Sequence, residues 1–303
     1  MQTFVGLDFG GTKLLIGEID TSGKVLQSKR YKTGCKTREE AIALILESFS
    51  DYKKTMGFIG NPSTAGLGIV GQVDHKNGEW ITIGHDIETP IKLGDILSEN
   101  FGIKVYIDND VRSATTAEMI LGVGKKYKDF IYINVGTGIA AGFVVNGQII
   151  RGANNNSGEI GHMVVDINSS YKCVCGRNGC VEGVASGGAL LRRIKENNLP
   201  FKNLSDLLSA ADSGEQKSLD ITKLAANSIA ATIMNLVRVT DPSIIVLGGG
   251  VVSSGSLLIE KVKSSLDEHT MRGVSGGIVL SSFSPDNAGL IGAASLGLQY
   301  NLE

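Results

Sequence analysis

A short motif occurs twice in this chain of 303 residues, with the two copies about half the chain apart. The first copy is residues 3–20, TFVGLDFGGTKLLIGEID, and the second is residues 130–145, FIYINVGTGIAAGFVV. In each copy an apolar run ends in Asp8 or Asn134, a Gly/Thr turn follows, and a second strand-like run completes the motif. Asn146-Gly147, which follows the second copy, is a strong hairpin signal. The repetition predicts two lobes of like architecture.

The Gly/Thr turns have two interpretations. Glycines let backbone N–H groups approach phosphate oxygens, and a threonine hydroxyl adds a donor, but both turns could also be simple tight hairpins. A strand follows each turn, so neither is a Walker A loop nor a G-x-G-x-x-G dinucleotide fingerprint. A third glycine cluster, Gly248 to Gly250, follows a predicted strand at 243–247 and precedes a predicted helix at about 255–266, so backbone could approach a nucleotide there. A further helix predicted at 287–294 has small residues on one face, which favours close helix packing.

Composition narrows the class of protein. With a net charge of −2, the chain lacks the excess of basic residues that is typical of a nucleic-acid binder. No apolar run is long enough to span a membrane, and Asp8 interrupts the apolar N-terminal segment, which is therefore not a signal peptide. Three clustered cysteines and a lone Cys35 are typical of a reducing compartment. We therefore expect a cytoplasmic protein with neither a nucleic-acid nor a membrane partner.

One histidine and three cysteines form a candidate metal site. His162 precedes Cys173, Cys175 and Cys180, and Glu159 and Glu182 flank the group. One imidazole and three thiolates suit tetrahedral Zn²⁺, and four protein ligands leave no open position, which indicates structural zinc. The two glutamates are not needed to hold a metal. The other histidines, His75, His85 and His269, lack such neighbours and are expected on the surface or in loops.

A polar triplet follows the predicted strand at 103–107. Asp108, Asn109 and Asp110 precede a helical run from Val111 to Leu121. A carboxylate at a strand end could be a general base for phosphoryl transfer. Asn and Asp are also the favoured helix N-caps, and one residue could cap while another does chemistry.

Together, these motifs, in this order along the whole chain, resemble the ROK family of sugar kinases and related repressors. The resemblance implies an α/β protein with the actin-like ATPase (ribonuclease H-like) fold, which has two lobes with a central cleft, as in hexokinases. It implies that Asp110 is the base that activates a sugar hydroxyl. Sugar-binding residues would be Gly71, Asn109, Asp110, Glu159, His162 and Glu182. ATP, Mg²⁺ and the phosphates would be held by Asp8, Gly10, Gly11, Thr12, Lys13, Gly136, Thr137, Gly138, Gly249 and Gly250. His162 would bind structural zinc through one ring nitrogen and the sugar through the other.

The predicted small lobe is residues 1–110 with 288–303, and the large lobe, with the zinc motif, is residues 111–287. The expected activity is transfer of the γ-phosphoryl group of ATP to a hexose, first of all to the 6-hydroxyl of glucose. N-acetylmannosamine is the main alternative substrate, followed by N-acetylglucosamine, fructose and allose, because residues 80–90 depart from typical family glucokinases and Thr82 is the nearest counterpart of a sugar-binding asparagine. A sugar-sensing regulator is the rival hypothesis; the phosphate motif begins at Asp8, which leaves no room for an N-terminal helix-turn-helix domain. We expect a homodimer or homotetramer.

Overall fold

The computed structural model describes residues 1–83, 89–253 and 256–300. Its strands are β1 (Gln2–Phe9), β2 (Lys13–Asp20), β3 (Val25–Lys32), β4 (Asn61–Ile69), β5 (Gln72–Asp74), β6 (Glu79–Thr82), β7 (Lys104–Asn109), β8 (Phe130–Val135), β9 (Ile139–Val145), β10 (Gln148–Ile149), β11 (Ile244–Gly248) and β12 (Ile278–Leu280). Its α-helices are α1 (Arg38–Thr55), α2 (Leu93–Phe101), α3 (Asp110–Ile120), α4 (Val181–Ala185), α5 (Gly187–Glu196), α6 (Leu204–Asp212), α7 (Gln216–Thr240), α8 (Gly250–Ser253), α9 (Ser256–Ser264), α10 (Glu268–Met271) and α11 (Ala288–Tyr300).

Contacts divide the chain into two units. Unit 1 contains residues 1–126, 151–156 and the chain from Ser282 onward, and unit 2 contains residues 127–150 and 157–281. The lobe boundaries predicted at residues 110 and 287 stay a prediction. By its contacts, helix α3 packs against α11, which places residues 111–126 with unit 1.

Unit 1 is built on a five-stranded sheet with the order β3-β2-β1-β4-β7. β1 pairs antiparallel with β2 and parallel with β4, and β4 pairs parallel with β7. The interior of β1 and β4 is almost wholly buried, as expected for strands covered on both faces. The sheet therefore brings the ends of β1, β4 and β7 to one edge, where Asp8 and Asn109 lie.

Unit 2 repeats this arrangement in the order β10-β9-β8-β11-β12. β8 pairs antiparallel with β9 and parallel with β11, which pairs parallel with β12. The predicted hairpin turn is formed by Asn146 and Gly147, whose φ angles of 52° and 75° match the positive values that a tight two-residue hairpin requires. The repeated motif thus occupies the same place in both sheets.

Helix α11 lies directly on the sheet of unit 1. A Cβ added at Gly66 of β4 would lie 1.8 Å from the carbonyl oxygen of Ala293, and one at Gly292 would lie 2.8 Å from the backbone of Ala114. Only glycine allows backbones to approach this closely. The predicted close packing of this helix is confirmed. Among the described residues, the helices lack the combination of length and apolar character that a membrane span requires.

Candidate functional site

The first Gly/Thr turn joins β1 to β2 in unit 1. The Gly10 N–H donates to the Lys13 carbonyl oxygen at 2.9 Å and closes the turn, while Gly11 and Thr12 at its tip are exposed. Burial raises the pKa of Asp8, and the Lys13 ammonium, 4.0 Å from the carboxylate, partly offsets that effect. A Cβ added at Gly289 would lie 2.4 Å from the Asp8 carboxylate, so the start of α11 packs on this side chain. The turn combines an accessible backbone with a carboxylate fixed by its neighbours.

The second Gly/Thr turn joins β8 to β9 in unit 2 and is held from behind by α5. The turn is closed by a hydrogen bond in which the Gly136 N–H donates to the Gly138 carbonyl oxygen at 2.9 Å. The N–H groups of Gly187 and Gly188 donate to the carbonyl oxygens of Gly136 and Thr137 at 2.8 and 3.1 Å. Gly249 lies against the same strand end, since a Cβ there would come within 2.4 Å of the Val135 oxygen, and Gly250 begins α8. The structure therefore brings the second turn and the third glycine cluster together.

The polar triplet lies where β7 passes into α3. Asn109 is the N-cap, and its Oδ1 accepts the N–H groups of Val111 and Arg112 at 3.0 and 3.3 Å. Its Nδ2 donates to the Gly71 carbonyl oxygen at 3.1 Å. Asp110 is the first residue of the helix, and its Oδ1 also accepts the Val111 N–H at 2.9 Å. Asn109 is therefore the N-cap, Asp110 also contacts the first turn of the helix, and the role of Asp110 as the base stays a prediction.

His162, Cys173, Cys175 and Cys180 gather into one cluster. Their ligand atoms all lie within 4.8 Å of one another, with 3.4 Å from Cys173 Sγ to His162 Nδ1 and 3.6 Å from Cys175 Sγ to Cys180 Sγ. Zn–S bonds of ~2.3 Å and Zn–N bonds of ~2.0 Å imply tetrahedral edges of about 3.8 and 3.5 Å. The donor set and spacing therefore fit Zn²⁺, with Nδ1 as the imidazole ligand.

The cysteine environments differ within this cluster. Hydrogen bonds from the backbone and side chain of Arg177 lower the pKa of the Cys175 thiol to about 6. Burial is the largest cause that raises the pKa of Cys180 to about 12. A metal ion that binds all three sulfurs must therefore displace protons, most of all from Cys180.

Glu182 connects the zinc loop to the second Gly/Thr turn. It follows Cys180 by two residues, and its Oε2 accepts the Ile139 N–H at 3.0 Å. A Cβ at Gly138 or at Gly161 would lie 2.7 or 3.0 Å from the same oxygen. A cavity of about 220 Å³ is lined by this carboxylate together with Thr137, Gly138, Ser186 and Arg192. Glu159 lies exposed at the start of the 3₁₀ turn Ile160–His162.

A family model described as the ROK family matches residues 4–300 of this chain. The chain belongs to the ROK family. The glucokinase of Halalkalibacterium halodurans is 30% identical over 97% of this chain and 94% of its own length. The N-acetyl-D-glucosamine kinase of Yersinia enterocolitica is 27% identical over 97% of this chain and 99% of its own length. A structure of a ROK family glucokinase from Streptomyces griseus, in complex with glucose and AMPPNP, has a TM-score of 0.78 at 27% identity and covers 97% of this chain and 98% of that one.

This similarity confirms the predicted fold class. The ROK chain is a mixed α/β protein with two five-stranded sheets, and its structural relatives have the actin-like ATPase fold. The roles of the predicted site residues stay predictions. Unit 1 holds Asp8, Gly10, Gly11, Thr12, Lys13, Gly71, Asn109 and Asp110, and unit 2 holds Gly136, Thr137, Gly138, Glu159, His162, Glu182, Gly249 and Gly250.

His75 lies in the turn between β5 and β6, in line with the expectation of a loop residue, but its side chain is largely buried. The side chain of His75 is only 8% exposed; its Nδ1 lies 2.8 Å from the Ile107 carbonyl oxygen and its Nε2 lies 3.0 Å from the Tyr300 hydroxyl. His75 is buried because β5 runs beside β7, a contact that no local sequence pattern reveals. His269 lies in the short helix α10, whose residues are not buried. His85 lies outside the described residues.

Sequence reasoning also missed the role of Asp108. This carboxylate is fully buried and pairs with Arg112 and Arg151 at 2.9 and 2.7 Å. A usable signal existed for Arg112, because it follows Asp108 by four residues, the spacing of helical ion pairs.

Proposed function

We propose that this ROK family chain is an ATP-dependent sugar kinase that transfers the γ-phosphoryl group to a hexose hydroxyl, with the 6-hydroxyl of glucose as the first expected acceptor. The observation that carries the proposal is the cavity in unit 2, where Thr137 and Gly138 of a phosphate-type turn meet the Glu182 carboxylate. The phosphates of a nucleotide need such a turn, and the hydroxyl groups of a polyol need such a carboxylate. The glucokinase of Halalkalibacterium halodurans, at 30% identity over nearly the whole chain, supports the same chemistry.

In this proposal Asp110 is the general base. It accepts the proton of the sugar hydroxyl as that oxygen attacks the γ-phosphorus of ATP. Asn109 holds the adjoining backbone by capping α3 and by its bond to Gly71, and we propose that the remaining hydrogen of its amide donates to the sugar. Because phosphoryl transfer needs little covalent help, positioning of the attacking oxygen provides most of what the protein contributes.

The remaining residues hold the two substrates. Glu159, His162 and Glu182 accept and donate hydrogen bonds to sugar hydroxyls, and the turns at 10–13 and 136–138 bind phosphate oxygens through backbone N–H groups and threonine hydroxyls. Asp8 is a candidate ligand for Mg²⁺, which would neutralise charge on the phosphates. Gly249 and Gly250 border the nucleoside. Zinc bound by His162 and the three cysteines would fix the orientation of the imidazole, so that Nε2 remains for the sugar.

The test is a coupled ADP-release assay with ATP and a panel of glucose, N-acetylmannosamine, N-acetylglucosamine, fructose and allose. The expected result is sugar-dependent turnover, highest with glucose, that falls by at least about 1,000-fold in Asp110→Asn while sugar binding persists. Asp95→Asn removes an exposed carboxylate of unit 1 on helix α2 and is the matched control. Near-normal turnover in Asp110→Asn would show that another group is the base.

The same panel separates the alternative functions. Preference for N-acetylmannosamine or N-acetylglucosamine would make this an amino-sugar kinase, an alternative favoured by the 27% identity to the Yersinia enterocolitica enzyme. Sugar binding without any ADP release would instead indicate a sugar-sensing regulator. Assembly as a homodimer or homotetramer and a cytoplasmic location stay predictions; light scattering of the purified protein tests the first of these.

A further inference from the structure

A buried carboxylate lies two residues before the proposed base and takes no part in the proposed mechanism. Asp108 is 0% exposed, so no substrate can touch it. Burial alone would raise its pKa, but the Arg112 and Arg151 guanidiniums outweigh that effect and hold the pKa below its usual value. A buried carboxylate is costly unless it is paired and hydrogen-bonded, and apolar residues often replace such pairs without loss of stability. A buried ion pair is therefore weak evidence for a contribution to stability, and its position beside the proposed base points to a second role.

The two oxygens of Asp108 hold two different segments. Oδ1 accepts the Asn109 N–H at 2.8 Å and Arg112 Nε at 2.9 Å, which fixes the passage from β7 into α3. Oδ2 accepts Arg151 Nη2 at 2.7 Å. Asp108 therefore ties the segment that carries Asn109 and Asp110 to residue 151.

Arg151 is the first residue of a short segment, 151–156, that belongs to unit 1 although the chain on either side of it belongs to unit 2. The segment has a second anchor, because Gln72 Nε2 donates to the Asn154 carbonyl oxygen. Gln72 directly follows Gly71, the residue whose carbonyl oxygen accepts from Asn109. The segment and the β7–α3 passage are thus connected at two points, through Asp108 and through residues 71–72.

His75, in the turn that follows β5, supports the same end of β7. Its Nδ1 must donate to the Ile107 carbonyl oxygen, which is only an acceptor, so Nε2 accepts from the Tyr300 hydroxyl. Ile107 directly precedes Asp108. The backbone from 107 to 110 is therefore held on several sides by groups that no ligand needs to touch.

We propose that Asp108 and Arg151 are positioning residues, which hold Asn109 and Asp110 in the geometry that phosphoryl transfer requires. The inference rests on the proposed function, since it assigns Asp110 as the base. A base that is displaced by about 1 Å can lose roughly 100-fold in rate without any loss of substrate contacts. The signature of positioning is thus a fall in kcat with little change in the KM for ATP.

The experiment removes the Arg151 guanidinium and then supplies it from solution. Arg151→Ala should lower kcat by roughly 10- to 100-fold and leave the KM for ATP within about threefold of wild type. The Arg151 side chain is 23% exposed, so a small cation can reach its place. Low-millimolar guanidinium chloride, far below denaturing concentrations, should restore a large part of kcat, whereas the same concentration of sodium chloride should not. Arg30→Ala, which removes an exposed arginine of unit 1, is the control and should behave as wild type.

If Arg151→Ala does not fold, Arg151→Lys decides, because it keeps the charge but not the planar guanidinium; a kcat about tenfold lower at an unchanged KM for ATP is expected. A kcat within about threefold of wild type, or a loss in Arg151→Ala that guanidinium does not restore, overturns the inference. An active wild type with either of these results leaves the proposed function standing. A wild type without sugar-dependent turnover across the panel overturns the proposed function and this inference with it.

Discussion

Glu182 offers a way to separate two roles that one side chain combines. Its Oε2 accepts the Ile139 N–H at 3.0 Å, directly after the second Gly/Thr turn, and we propose that the same carboxylate binds a sugar hydroxyl. Glu182→Ala removes both functions. Glu182→Gln keeps an amide oxygen that can accept the Ile139 N–H but removes the negative charge.

The magnitudes follow from the hydrogen bonds. A hydrogen bond to a charged acceptor contributes about 1.5–3 kcal/mol, and Glu182 is only partly buried, so Glu182→Ala should lose about 1.5 kcal/mol of unfolding free energy. With one of the supports of the turn removed, the KM for ATP should rise roughly tenfold, and the KM for sugar should rise at least as much. Glu182→Gln should cost less than about 1 kcal/mol and leave the KM for ATP within about twofold. Its KM for sugar should still rise roughly tenfold, because a charged hydrogen bond has become a neutral one.

The assay is steady-state kinetics with each substrate varied in turn, together with urea unfolding of the same samples. Glu260→Ala removes an exposed glutamate of helix α9 in unit 2 and is the matched control. Either of two results would contradict these roles of Glu182. An unchanged KM for sugar in Glu182→Gln would show that the charge does not act on the sugar. An unchanged KM for ATP and an unchanged unfolding free energy in Glu182→Ala would show that the hydrogen bond to Ile139 does not support the turn.

Three further predictions concern the metal, pH and a glycine. Removing zinc with a chelator, or the substitution Cys175→Ser, should weaken sugar binding and lower the thermal midpoint by roughly 5 °C or more. Elemental analysis checks the metal content. If a metal-free sample keeps both its sugar affinity and its thermal midpoint, the cluster supports neither sugar binding nor stability. Burial lowers the pKa of His75, so the stabilisation of the fold by the neutral imidazole is complete above the pKa of the unfolded state, about 6.5, and declines below that pH. The urea midpoint should therefore fall between about pH 7.5 and 5.5, and it should fall less in His75→Gln. Identical falls in the two proteins would contradict this prediction. Gly158→Ala should destabilise by about 2 kcal/mol or more in urea, because φ is +104° and the new Cβ would lie 1.9 Å from the Ala141 oxygen; unchanged stability would refute that clash.

Local patterns were sufficient for part of this molecule. The strand predicted at 103–107 is Lys104–Asn109, and the helix predicted from Val111 is Asp110–Ile120, because an N-cap and an apolar run act over a few residues. The helix predicted at 255–266 is Ser256–Ser264, and its first predicted residue lies outside the described chain. The metal cluster was also predictable, since its four ligands lie within 19 consecutive residues, from His162 to Cys180.

Long-range pairings were not predictable in this way. Arg151 reaches Asp108 across 43 residues, and Tyr300 reaches His75 across 225. Each contact depends on how β5, β7 and α11 pack, which a single sequence does not reveal. His75 lies in a turn, as predicted, but the burial of its side chain could not be predicted from the sequence. Of Arg112 and Arg151, only Arg112 was predictable from local sequence as a partner of Asp108, because it follows Asp108 by four residues.

The two copies of the repeated motif also have matching partners on the adjacent parallel strands. Asp8 pairs with Gly68 on the adjacent parallel strand, and Asn134 pairs with Gly248 in the same relation. In both sheets a polar residue at a strand end therefore lies beside a glycine, two residues before the glycine that closes the turn. The first copy has kept a carboxylate, which lies near Lys13 and is a candidate for the magnesium site. The second has an amide, whose Oδ1 would lie 2.8 Å from a Cβ at Gly249. Of these two matching positions, only Asp8 offers a carboxylate, and for that reason we propose Asp8 rather than Asn134 as the magnesium ligand.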